Sequence, residues 1–491
     1  MHQAKSVRIC IYAYSSMAWF FRGLIQACRA SGDDVEWSVV LPQGHFREVI
    51  SNLVPVERCC YLYENFNFRY RSIGPDDIED ALSSGEGLAT ALMKDKDGYR
   101  WLEKEEQLRR AAVMHKTYRE FLERVRPDYV LFPDVETVDG FVLINLCQRL
   151  GIPILYHVGM RLLGCGFFSE DPYETPPRYF GNYTKQNIES ARSEIRRFVE
   201  RASRGPGSDY RPAKVPKAPL WRRALASEFL RLSKERLHVS EDGIFLRIKS
   251  NIRPLMQRLR RLRFELSHAH YFDVAGTNTV LPERFIFYAL QYSPESSING
   301  LEPYYFEQSR IIDALLLNLP QAYRLVIKEH PAMYGMRPNA FYRELRRRPG
   351  LVLVHPSADT RDLINRAALT VTVTGTIGLE CFLMGKPCVI FGRNFFRHLC
   401  YQPPALSELK AFLQRIITDH KTPSEKKKEI EIAKLLNVGA DFIISDPWFS
   451  PSVMSEENIA AARAYLWRHL ARLRSAQKRT PRKNPGRPGP K

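Results

Sequence analysis

Two stretches of the chain carry residue types suited to holding a phosphate. Residues 324–331, Arg-Leu-Val-Ile-Lys-Glu-His-Pro, are an apolar run that ends in a cation, a carboxylate and an imidazole. Pro331 cannot continue a central strand, so Lys328 and His330 fall at a strand's carboxyl end, where parallel α/β sheets bind their ligands. Residues 370–392 open with β-branched residues from Thr370 to Thr374 and turn through Gly375-Thr376-Ile377-Gly378. A short apolar helix from Leu379 to Met384 follows, stopped at Gly385 with Pro387 beyond, and then a second apolar strand from Cys388 to Phe391. Such a turn offers backbone N–H groups and hydroxyls at a helix N-terminus, where the partial positive charge favours a phosphate. Glu380 lies in the first helical turn, where a carboxylate accepts hydrogen bonds from a ribose diol. The plainer alternatives are an ordinary βαβ turn and a strand-end charge cluster facing water.

Other residues suggest acid, base or anion chemistry. Asp134, Glu136 and Asp139 follow the apolar run Tyr129–Phe132, and one of them could act as general base on a hydroxyl. Asp134 or Asp139 could equally cap the helix read from Phe141. Glu295, with Gln291 before it, follows the apolar run from Phe285 to Leu290; it reads as an acid or base, a sugar contact, or a loop carboxylate paired with Arg310. His157, at the end of a strand read from Ile152, and Arg161 could meet an anionic sugar or phosphate, or be structural.

Taken together, residues 288–297, Lys328-Glu-His-Pro331, residues 335–342, Thr374-Gly-Thr-Ile-Gly-Leu-Glu380 and Gly385-Lys-Pro387 resemble the bacterial capsule and surface polysaccharide biosynthesis proteins. That group includes the capsular Kdo transferases. The resemblance is strongest over 280–400, weaker over 1–165, and does not extend to 170–280 or beyond 405. It implies a GT-B glycosyltransferase fold, a nucleotide-sugar donor and a glycan acceptor. A His-Pro followed by a hydroxyl-rich turn is similar to the way bacterial sialyltransferases of this fold hold the phosphate of a CMP-sugar. This carries His330 and Thr374 or Thr376 over as phosphate contacts and slightly favours a CMP-sugar. A nucleotide-sugar 2-epimerase and a non-catalytic capsule-assembly protein are the alternatives.

These residues need an α/β frame. The apolar runs at 7–12, 35–41, 129–132 and 152–156 alternate with helical patterns at 17–30, 101–125 and 141–150, as in a doubly wound domain. Ser15 and Ser16 are candidate caps for the helix from Met17. That first turn has no glycine-rich nucleotide loop, so the first domain is read as the acceptor side. Residues 60–100 read as polar and irregular. We expect an N-terminal Rossmann-like domain over 1–165, a helical basic insertion over 166–280 with Phe167-Phe168 in a loop, a nucleotide-sugar domain over 281–405, C-terminal helices over 406–474 and a disordered basic tail over 475–491. A C-terminal helix that crosses back to the first domain is a feature of GT-B proteins.

At 491 residues the chain is too long for one ordinary domain. The net charge of +19 is concentrated: residues 204–264 hold sixteen Lys/Arg against five Asp/Glu, and 471–491 hold eight with no acid. In 220–264 the charges interleave with apolar residues, the pattern of a helix on an anionic membrane surface, or of a solvated hairpin. No nucleic-acid module accompanies the charge, so nucleic acid is not expected as a partner. Nine scattered cysteines with no Cys-x-x-Cys pair read as reduced thiols in a cytosol, and Cys59 and Cys60 as structural residues facing opposite sides of a strand. We read no signal peptide, no membrane span, no metal and no cofactor, and place the protein in the cytoplasm or at the inner face of the membrane.

Overall fold

The computed structural model describes residues 6–14, 16–42, 44–64, 66–83, 88–94, 102–133, 137–177, 182–203, 264, 271–273, 281–293, 302–447 and 450–479. The first sheet has six strands, β1 (Val7–Tyr12), β2 (Val35–Leu41), β3 (Cys59–Tyr61), β4 (Tyr129–Phe132), β5 (Ile154–Met160) and β6 (Cys165–Ser169). They lie in the order β3-β2-β1-β4-β5-β6, parallel except for β6. The second sheet has β7 (Phe285–Ala289), β8 (Arg324–Lys328), β9 (Leu351–Val354), β10 (Leu369–Thr372) and β11 (Cys388–Ile390), all parallel, in the order β11-β10-β7-β8-β9. Both orders reverse once, between β1 and β4 and between β7 and β10. Crevices for ligands open at such reversals, outside the carboxyl ends of the strands.

Both faces of each sheet are covered, so the strands are predominantly apolar. In the first sheet, Cys10, Tyr12, Val130 and Phe132 pack toward the helices Lys104–Val125 and Val138–Arg149. Ile9, Ile11, Val39 and Leu131 pack on the other side with the helix Met17–Ala30. Cys59 and Cys60 fall into these two opposite cores, as strand alternation requires. The second sheet divides likewise, with Ile286, Ile327 and Val371 on one side and Phe287, Val326 and Val354 on the other.

The last helix, Glu456–Arg479, returns to the first domain. Tyr465, Leu466 and Leu470 join the core of the first sheet. Arg463 donates from Nε and Nη2 to Asp33 at 2.5 and 2.6 Å. The side chain of Ile459 packs so closely on Gly23 that a Cβ there would lie 2.6 Å from it. The same core takes in Leu379, Phe382 and Leu383 of the helix Ile377–Met384 in the second domain. Ile377 and Cys381 of that helix face the second sheet instead. A helix apolar on all sides is buried on all sides, and this one is wedged between the two domains.

Several expectations need correcting. Within 60–100 the described residues are not irregular: β3 is followed by short helices at Phe66–Ser72, Pro75–Ser83 and Leu88–Lys94. Phe167 and Phe168 are not in a loop but in β6, fully buried at the antiparallel edge of the first sheet. Ser16 does not cap its helix; its hydroxyl bonds the carboxylate of Asp446. The basic segment 220–264, apart from Phe264, and the tail beyond 479 lie outside the described residues. Among the described residues no helix is long and apolar enough to cross a membrane.

Candidate functional site

The site is built at the carboxyl ends of β7, β8 and β10. Strand alternation sends Lys328 and Glu329 to opposite sides of the second sheet. Lys328 is buried, and its Nζ donates to Thr360 Oγ1 at 3.0 Å, at the start of the helix Thr360–Arg366. Burial pushes its ammonium down to about 8, against the pull of Asp359, Glu329 and Glu380. His330 is half-buried, its ring 5.8 Å from that of Tyr292. Burial lowers its imidazole to about 4, and the nearby Lys328 and Arg337 act in the same direction against Glu329. The unliganded imidazole is therefore neutral at pH 7.

Glu329 is fully buried on the other side. Its Oε1 accepts from the backbone N–H of His330 at 2.6 Å, and its Oε2 accepts from Arg337 Nε at 2.7 Å and Tyr342 Oη at 2.8 Å. Arg337 continues from Nη2 to the carbonyl of Gln291 at 2.7 Å. Gln291 stands at the strand reversal, just past β7, and its Nε2 donates to Thr372 Oγ1 at 2.8 Å. That same oxygen accepts from the backbone N–H of Gly375 at 3.1 Å.

The turn after β10 departs in detail from the sequence expectation. The helix begins at Ile377, so exposed Thr376 is its N-cap residue and Gly378 lies inside its first turn. Gly378 is required there by packing: a Cβ would meet the Phe396 ring at 2.9 Å and Cys400 Sγ at 3.0 Å. Gly375 is required by the network beneath it, since a Cβ would fall 2.8 Å from both Gln291 Nε2 and Thr372 Oγ1. Thr374 is buried; its carbonyl accepts from Asn394 Nδ2 at 3.1 Å, while its hydroxyl oxygen is buried without a partner. Glu380 is half-buried, its carboxyl raised by burial against the opposing charges of Arg361 and Lys328. Gly385 closes the helix at φ 71°, the left-handed cap its sequence position predicts.

In the first domain, Asp139 is buried at the end of β4's connection, in the first turn of its helix. It accepts from Tyr12 Oη at 2.8 Å and Tyr118 Oη at 3.4 Å, and desolvation raises its carboxyl. It is not the helix cap, because the helix starts at Val138 and Thr137 occupies that position. His157 is not at a strand end either. It sits inside β5 opposite Phe168, and its Nε2 accepts from the backbone N–H of Ile444 at 3.2 Å. Arg161 opens the short turn between β5 and β6. Asp134, Glu136 and Glu295 lie outside the described residues, as does the Asp-x-Asp spacing at Asp95-Lys96-Asp97. Among the described residues no group of three or more His, Cys, Asp or Glu could hold a metal.

The structure thus gathers Lys328, His330, the Thr374–Gly378 turn and Glu380 around one strand reversal. Sequence reasoning had not assigned roles to Arg337, Tyr342, Thr372 or Thr360. Arg337 and Tyr342 lay within the stretch that carries the family resemblance, which was the available signal. Also unassigned was Arg393, whose guanidinium bonds Glu302 at 2.8 Å and lies 3.3 Å over the ring of Tyr173 from the first domain.

Two doubly wound sheets in one chain, joined through a shared core, define a GT-B-like α/β protein. Residues 249–405, about a third of the chain, match the family model described as capsule polysaccharide biosynthesis protein. No curated protein matches the sequence. Among solved structures, the β-Kdo 2,7-transferase of Thermosulfurimonas dismutans KpsC aligns at 12% identity and a TM-score of 0.35, over 67% of this chain and 84% of its own. The UDP-GlcNAc 2-epimerase of Neisseria meningitidis bound to UDP-GlcNAc aligns at 10% and 0.26, over 95% and 100%. The lipopolysaccharide outer core galactosyltransferase WaaB aligns at 11% and 0.31, over 88% and 97%. These likenesses are too distant to discriminate activities, and the fold class rests on the strand order.

Proposed function

We propose that the protein is a glycosyltransferase that moves a sugar from a nucleotide-sugar donor to a capsular or other surface polysaccharide or its lipid-linked primer. The observation that carries this reading is the convergence of Lys328, His330 and the hydroxyl-lined turn at the strand reversal of a sheet within the capsule-family segment. Departure of the nucleotide leaves charge on its phosphate. Lys328 opposes that charge, and the His330 ring and the backbone of Thr374 to Gly378 donate hydrogen bonds to it, the role a metal fills elsewhere, so the reaction needs no metal. Glu380 holds the ribose. The family resemblance favours a CMP-activated acidic sugar over a UDP-sugar.

The acceptor lies against the strand ends of the first sheet, and its anionic groups meet Arg161; His157, inside β5 and bonded to Ile444, is not used. Asp139 is enclosed by tyrosine hydroxyls, so the proton transfer falls to Asp134, Glu136 or Glu295. The basic segment 220–264 holds the enzyme against the anionic inner face of the cytoplasmic membrane, near a lipid-linked acceptor. His330→Ala tests the reading in cells: polymer production should be lost while the protein accumulates normally. Unchanged polymer in that variant would leave a non-catalytic assembly role as the better account.

A further inference from the structure

One continuous run of buried and part-buried hydrogen bonds joins the two halves of the donor site. It starts at the backbone N–H of His330 and passes through the Glu329 carboxylate, the Arg337 guanidinium and the Gln291 carbonyl. It continues through the Gln291 side-chain amide to the Thr372 hydroxyl, and ends on the backbone N–H of Gly375. Every link is between 2.6 and 3.1 Å. Gln291 is held on its other sides too, since Gln308 accepts from its N–H at 2.7 Å and donates to its carbonyl at 3.1 Å.

None of these links faces a ligand directly. Glu329 is fully enclosed, Thr372 likewise, and Gln291 lies beneath Gly375. They join three strand ends that a parallel sheet leaves to separate loops: β8, with its imidazole; β7; and β10, with its turn. Without the run, the His330 backbone and the Gly375 turn would be positioned only by their own loops. A charge-assisted pair anchored to a buried amide gives fixed geometry at low reorganisation cost.

We propose that Arg337, Gln291 and Thr372 form a positioning unit that fixes the separation between His330 and the Gly375 turn, so that both meet one phosphate at once. The proposal rests on the donor-site reading above. It assigns positioning roles to three residues that do not themselves touch the donor.

The test pairs Thr372→Val, which keeps shape and removes the hydroxyl that both donors use, with Thr372→Ser, which keeps the hydroxyl. Full-length proteins are titrated with the nucleotide that stabilises wild type most strongly. Amide hydrogen exchange is followed at 374–378 without ligand. Thr372→Val should bind at least tenfold more weakly and exchange faster in the turn, while Thr372→Ser stays near wild type in both. Gln291→Met, which removes the same amide-to-hydroxyl link from the other end, should behave like Thr372→Val and serves if that variant fails to fold. Equal affinity and equal exchange in wild type, Thr372→Val and Gln291→Met would overturn the positioning role while leaving the donor site standing. If wild type binds no nucleotide, the donor-site reading falls and this proposal falls with it.

Discussion

Lys328 and Glu329 are neighbours in sequence, yet their side chains are buried on opposite sides of the same sheet. Lys328 reaches Thr360, and Glu329 reaches Arg337 and Tyr342. The two should respond unequally to neutralisation. Glu329→Gln strands the Arg337 guanidinium without its countercharge and should lower folding stability by about 3–5 kcal/mol. Lys328→Met removes a cation that burial already disfavours and should cost the fold at most ~1 kcal/mol, while weakening nucleotide binding. Denaturant unfolding of both variants, with nucleotide titration of the second, checks the pair.

The depressed His330 gives a pH signature. Its folded-state pKa, about 4, lies below the ordinary value of 6.5, so between these pH values the unfolded chain binds the proton more readily. Its contribution to stability is intact above pH 6.5 and is lost as pH falls toward 4. Other groups titrate in the same range, so the informative quantity is the difference between proteins. Wild type should lose stability relative to His330→Ala across this window, measured by denaturant unfolding at closely spaced pH values. A constant difference across the window would show that His330 is not desolvated in the fold.

Asp33 and Arg463 tie the last helix to the first domain. Burial raises the Asp33 carboxyl, but the bonds and the charge of Arg463 outweigh it and hold it below the usual carboxylate range. Its stabilisation is therefore present above about pH 4 and lost as pH falls through the depressed folded value. Asp33→Asn should lower stability at neutral pH by about 1–2 kcal/mol, an effect that shrinks in acid. Thermal unfolding at pH 7 and pH 3 measures both.

Gly378→Ala should be destabilising although its φ is ordinary, because the added methyl meets the Phe396 ring and Cys400 inside the interdomain core. Overpacking of this kind costs about 1–3 kcal/mol. The loss should be read as a lower melting temperature in the free protein, separable from any change in nucleotide affinity.

Much of this fold was legible in the sequence. The runs Val7–Tyr12, Val35–Leu41, Tyr129–Phe132 and Arg324–Lys328 are mostly apolar because both sheet faces are covered, and that pattern gives their bounds directly. Gly385 with Pro387 marks a helix end by local chemistry alone. What failed was decided by distant contacts. Ser16 looks like a cap, but Asp446 takes its hydroxyl. His157 looked like a strand end because it follows the apolar run from Ile152 to Tyr156, whereas antiparallel pairing with β6 extends β5 to Met160. Phe167 and Phe168 lie in what was expected to be a loop, and only tertiary pairing shows them as an edge strand. In the candidate site the ligand-facing types stood out as a cation, an imidazole and a hydroxyl turn. Arg337, Gln291 and Thr372 did not, because nothing local tells a buried positioning side chain from a solvated one.

The central claim is that the second domain holds a nucleotide through His330 without a metal. The most direct measurement is the melting temperature of the purified protein with CMP, CDP, UMP, UDP, GDP and ADP, each with and without EDTA, for wild type and His330→Ala. A ligand that binds only the folded state raises that temperature. We expect one nucleotide, CMP or CDP first, to stabilise wild type equally in EDTA and to leave His330→Ala unshifted. No shift by any nucleotide at millimolar concentration, or a shift that EDTA removes, would contradict the account.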